Sequence, residues 1–143
     1  MKHVQSPRRT SHFPATPSDQ ELLEFVGRWI DLLAAGEFAA AYRATDHDPY
    51  YQWSPDLIRA VIQGYGLPDP EPDQPIHHVT ARAAASGGPP QREVLRDDLP
   101  PPAIAEVVHD LPLSGVWSDL TATFRVEALS TGYSVVLQEI HVF

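Results

Sequence analysis

Cysteine is absent from this 143-residue chain. That excludes disulfides, thiolate metal ligands and thiol nucleophiles together. Lysine occurs once, at Lys2, against nine arginines, a bias that points to a GC-rich bacterial genome. No run approaches the roughly 18 apolar residues that a membrane-crossing helix needs. The longest helical stretch, Leu22 to Ala35, is interrupted by Glu24, Arg28 and Asp31. Positive charge is scarce after the first segment. Residues 1–17 hold Lys2, Arg8 and Arg9 and no acid, and the remainder holds 7 basic and 19 acidic residues. That segment lacks the apolar stretch of a signal peptide, so the expected location is the cytoplasm.

A body this acidic repels phosphate backbones, which argues against nucleic acid. A basic protein or a cationic ligand is the easier partner, although an acidic surface also serves solubility alone. The hydrophobic fraction of 43% suits a single globular core. Pro7, Pro14 and Pro17 make residues 1–17 an expected disordered tail. Residues 18–143 then form one domain.

Ser18 and Glu21 have capping-box spacing and start a helix. Leu22, Leu23, Val26, Trp29, Ile30 and Leu33 make its apolar face. Gly36 ends it as a left-handed residue. A short second helix fits Glu37 to Ala44, with Phe38, Ala41 and Tyr42 inward. A loop follows from Thr45 to Trp53. Ser54-Pro55-Asp56 starts a third helix that runs to about Gln63, with Leu57, Ala60, Val61 and Tyr65 on one face.

Ile76 to Ala83 has a strand-like alternation, although its alanines also suit a helix. Arg92 to Arg96 reads as a short strand. Ile104 to Leu111 reads as another, with Pro112 marking an edge or a bulge. Val116 to Leu129 and Tyr133 to Phe143 form a hairpin around Ser130-Thr131-Gly132. Strict alternation places Leu120, Ala122, Phe124 and Val126 on one face. In the returning strand it places Val135, Leu137, Glu139 and His141 together, opposite Val136, Gln138, Ile140 and Val142. Apolar residues on both faces imply a central strand or a curled sheet. The fold class is therefore α+β, with N-terminal helices packed on a curved antiparallel sheet.

The run from Phe25 to Tyr42, with its Gly36-Glu37-Phe38-Ala39-Ala40-Ala41-Tyr42 step between helices, resembles the opening of the cystatin-like, nuclear-transport-factor-two-like superfamily. The long C-terminal strands resemble its ending. The resemblance implies a cone-shaped pocket. Trp117-Ser118-Asp119-Leu120-Thr121 and the terminal Glu139-Ile140-His141-Val142-Phe143 are similar to small bacterial domains that end in a "[DE]-[LI]-H-V-[LF]" strand. Members of the superfamily include dehydratases, isomerases, hydrolases and non-enzymatic binders, so fold does not choose a function.

Catalytic members such as ketosteroid isomerases and scytalone dehydratases place acids, histidines or tyrosines in the cone. His77, His78, His109, Asp110, Glu139 and His141 are the residues here able to do so, and His78, His109, Glu139 and His141 are the chief candidates. No segment reproduces a catalytic motif of those enzymes. His77 and His78 would face opposite sides of a strand and make poor co-ligands, so neither a metal nor a cofactor is expected. For binding, the candidates are Tyr50, Tyr51 and Trp53 in the aromatic loop and Trp117 in the hairpin. The alternative is that Tyr51 and Trp53 plug the core.

Three functions fit the sequence. The first is a non-catalytic binding domain for a protein or small ligand, one version being an immunity-type protein with an acidic face. The others are a small dehydratase or isomerase with His and Asp/Glu in the cone, and a homodimer joined through the sheet.

Overall fold

The computed structural model describes residues 9–69 and 72–143. Three helices come first: α1 (Asp19–Ala34), α2 (Phe38–Ala44) and α3 (Pro55–Gln63), with the two-residue strand β1 (Asp46–His47) before α3. Four strands follow a single 3-10 turn at Arg82–Ala84: β2 (Arg92–Leu95), β3 (Ala103–Leu113), β4 (Val116–Leu129) and β5 (Gly132–Val142). The curved sheet runs β1-β5-β4-β3-β2 and is antiparallel except where β1 lies parallel to β5. Helices precede strands, and the class is α+β.

Local chemistry sets the helix ends. Ser18 and Glu21 bond reciprocally in a capping box at α1. Gly36 follows with φ +77, the left-handed residue that lets the chain turn into α2. Ser54 caps α3 through the Leu57 N–H at 3.0 Å. The core-facing side of α3 is Ile58, Val61 and Ile62 rather than a stripe through Leu57, Ala60 and Tyr65.

The core lies between the helices and one face of the sheet. Trp29 meets Phe124 edge to face at 5.0 Å and 88°. Leu22, Ile30, Leu111, Leu120 and Leu137 close around that pair with almost no solvent exposure. The space between α1 and the sheet is therefore filled by side chains.

One irregularity decides which residues look where. Phe124 stands opposite Leu137, yet Thr123 stands opposite Glu139. Gln138 is the extra residue, a β-bulge in β5. Strict alternation had grouped Glu139 and His141 with Val135 and Leu137. The bulge reverses the phase, so that Ile140, opposite Ala122, joins the core face, and Glu139 and His141 take the other face.

Two further expectations change, and one open alternative is decided. Residues 9–17, read as part of a disordered tail, lie along the edge of β5; residues 1–8 of that tail are outside the described residues. Phe13 bridges Tyr133, the Val135 N–H donates to His12 Nδ1 at 2.9 Å, and Arg9 pairs with Glu127 at 3.1 Å. Ile76 to Ala83 forms no continuous strand: Val79 makes an isolated bridge to Leu113, and the chain then enters the 3-10 turn. From that turn Arg82 reaches across to Asp31, whose carboxyl the bond to Arg82 holds below its ordinary range. Pro112 lies beside a register shift, the bulge alternative, past the end of β2 on an otherwise inner strand.

Candidate functional site

β5 becomes an edge strand after residue 137, because β1 pairs only with Val136 and Leu137. The aromatic loop and α3 close around that edge. Gln52, at φ 53, adopts a backbone conformation that costs a non-glycine residue about 1 kcal/mol. It stands between Tyr51 and Trp53, whose rings lie 5.5 Å apart at a 31° tilt. Trp53 donates its indole N–H to the carbonyl of the bulged Gln138 at 3.0 Å. On the other side, Tyr65 (φ 53) and Gly66 (φ 95) turn the chain away from α3. A cleft of about 330 Å³ lies between these walls. That is within the usual size range of small-molecule sites, about 300 to 1,000 Å³.

The floor of the cleft is apolar: Trp53, Leu57, Val61, Pro68 and Ile140. Its polar edge is Glu139 and His141, which touch at 3.1 Å between His141 Nδ1 and Glu139 Oε2. The outer side of the His141 ring stacks on Phe143, centroids 4.1 Å apart. Desolvation first, and the Glu139 carboxylate second, push the Tyr51 phenol above its ordinary range.

Four sequence candidates thus meet in one place: Tyr51 and Trp53 from the loop, Glu139 and His141 from the last strand. The others lie elsewhere. Tyr50 is adjacent but points to solvent, 83% exposed, with its ring edge-on to Tyr51. Trp117 lies 6.0 Å from the ring of His109. His78 is exposed beside a small cavity of about 100 Å³, and His77 packs edge-on against Tyr65.

His109 is fully buried on the core face, opposite Ala122. Its Nδ1 donates to the Asp110 carbonyl at 2.7 Å, and its Nε2 accepts from Arg92 Nε at 3.3 Å. Burial first and the Arg92 charge keep the imidazole pKa low, so it stays neutral. With both nitrogens engaged and no solvent path, His109 is a structural crosslink between β3 and β2.

Leu57, Val61 and Ile140 complete the cleft, and sequence periodicity did not assign them to it. The available signal lay in β5 itself. Its core-face positions change from odd numbers (Val135, Leu137) to an even one (Ile140), the signature of a bulge that the apolar Val136 blurs in the sequence.

Other clefts differ in charge. A groove of about 420 Å³ beside α1 includes Arg28 and Asp31. A polar cleft of about 460 Å³ by Pro100–Pro102 includes Arg9 and Arg125 with Asp48 and Glu127. There Arg125 bonds both Asp48 and Glu127.

Comparison with known proteins finds no matching family model, no similar curated protein and no similar solved structure.

Proposed function

We propose that this chain is a non-catalytic binding domain whose small-molecule ligand occupies the cleft between α3 and the end of β5. The observation that carries this reading is the convergence of Tyr51, Trp53, Glu139 and His141 on a single apolar-floored cavity. Such a cavity, with a few polar groups at one edge, is the usual form of a small-molecule site. Two strained turns, at Gln52 and Tyr65, flank it. Backbone strain of this kind is retained where a site requires a particular geometry.

An enzyme working inside the cone is less well supported. The interior beneath α1 is packed with Trp29, Phe124 and Leu137. The candidates His78 and His109 stand apart from Glu139 and His141. The test is a fragment screen followed by nitrogen-15 NMR. Binders should shift the Trp53 indole and the Val61 and Ile140 amides while leaving the Trp29 indole unmoved. Leu57→Trp, which fills the cleft from a half-buried position on α3, should abolish those shifts. Binders that shift residues scattered over the surface, unaffected by Leu57→Trp, would refute the assignment.

A further inference from the structure

We propose that the cleft takes an organic cation: an ammonium or guanidinium head held by Glu139 beside the Tyr51 and Trp53 rings, with an apolar body over Leu57, Val61 and Ile140. This rests on the cleft being a ligand site and names the class of ligand.

The first ground is charge balance. Among the described residues, the cleft presents one carboxylate, Glu139, and no lysine or arginine. Its single neighbour of basic character is His141, neutral unless protonated. The cleft beside α1 and the one by Pro100–Pro102 each hold arginine with their carboxylates. An anion would meet the Glu139 carboxylate at the β5 edge. A cation would meet a carboxylate about one-third exposed, set beside the Tyr51 phenol and the His141 ring.

The second ground is the aromatic wall. Cations are attracted to the electron-rich faces of Trp and Tyr, more strongly where water is displaced. Tyr51 and Trp53 stand side by side on the same cleft as the carboxylate. Trp53 is 6% exposed and fixed through Gln138, so its ring is held in place before any ligand arrives. The third ground is the wider field. Beyond residue 17 the chain holds 19 acids and 7 bases, which steers cations toward the surface.

A free amine and a basic side chain of a peptide both supply such a head group, and the chemistry at Glu139 is the same. The experiment uses the full chain and three compounds of one shape: 2-phenylethylammonium, 2-phenylethanol and phenylacetate. Each is titrated while the Trp53 and Trp29 indole signals are followed. The cation is expected to shift Trp53 alone and to bind about fivefold or more tightly than the alcohol, with phenylacetate weakest. Glu139→Gln should weaken the cation far more than the alcohol and so remove that preference. Raising salt on the unmodified protein should weaken the cation and not the alcohol, a check that needs no variant.

Equal binding of cation and alcohol at Trp53, with no salt dependence, would overturn the cation assignment and leave the cleft as a site. No shift of Trp53 by any of the three would count against both. An acetylated and amidated lysine dipeptide in the same titration separates the two sources. Binding it as well as the free amine points to a peptide side chain, and binding the amine alone points to a small metabolite; each outcome supports the cation.

Discussion

Trp53 donates its indole N–H to the Gln138 carbonyl at 3.0 Å. One bond thus ties the aromatic loop to the bulge that turns Glu139 and His141 away from the core. Trp53→Phe keeps most of the ring and loses the donor. It should cost about 1 kcal/mol in denaturant unfolding. The Tyr51 ring signals should broaden in the same variant, because the loop loses its anchor to β5.

The bulge itself is open to test. Deleting Gln138 removes the extra residue, so that Leu137 and Glu139 become neighbours on opposite faces and the pairs Thr123–Glu139 and Ala122–Ile140 are kept without a bulge. The deletion also removes the carbonyl that accepts the Trp53 indole N–H, a loss of about 1 to 3 kcal/mol. The deletion variant should stay folded by circular dichroism, with a lower denaturant midpoint. Gln138→Ala preserves the extra residue and should stay within about 1 kcal/mol of the parent. A deletion variant that fails to fold would contradict the assignment of Gln138 as the extra residue.

Residues 9–17 hold the edge of β5 through a close approach at Gly132. The φ there is +144, and a Cβ would stand 2.4 Å from the Phe13 carbonyl oxygen. Gly132→Ala should therefore detach this segment and cost about 1 to 3 kcal/mol. Faster amide exchange at Val135, which donates to His12, would report the detachment directly.

Acid should weaken the fold before carboxylates titrate. Burial lowers the pKa of His12, His47 and His109 from the ordinary value of 6.5. In His12 and His109 a ring nitrogen also accepts a bond that protonation would break. The unfolded chain then binds more protons than the folded one, so stability rises with pH in this range. It is fully present above about pH 6.5 and declines as pH falls toward the lowered folded values. The guanidinium midpoint should drop between pH 7.5 and pH 5.5, and a flat profile would contradict the assignment.

Much of the architecture was legible because it is locally encoded. Ser18 with Glu21, and Ser54 with Pro55, announce helix starts by chemistry confined to one turn. The β4–β5 hairpin follows from alternation and a glycine turn. Alternation carried the break in its own period only faintly, because the apolar Val136 blurs the change from odd to even positions. Gln138 is an ordinary polar residue, and nothing at that position marks an insertion. The same limit hid Ile58 and Ile62, since α3 has apolar residues on two sides, one for the core and one for the cleft. Residues 9–17 carry prolines, which suit an extended strap along a sheet edge as well as they suit disorder. The aromatic loop and the Glu139–His141 pair were visible as chemistry, but their meeting at one edge depends on tertiary placement.

The central claim is that the β5 edge cleft is a ligand site, and disulfide tethering tests it most directly. The chain has no cysteine, so Pro68→Cys places a unique thiol on the cleft wall and Ser130→Cys a control in the β4–β5 turn. Both are exposed to a library of small disulfides under mild reductant, and adducts are read by mass spectrometry. The account predicts a selective set of adducts at position 68, enriched in amines and lost when Leu57→Trp is added. The same adducts at both positions, unaffected by Leu57→Trp, would contradict it.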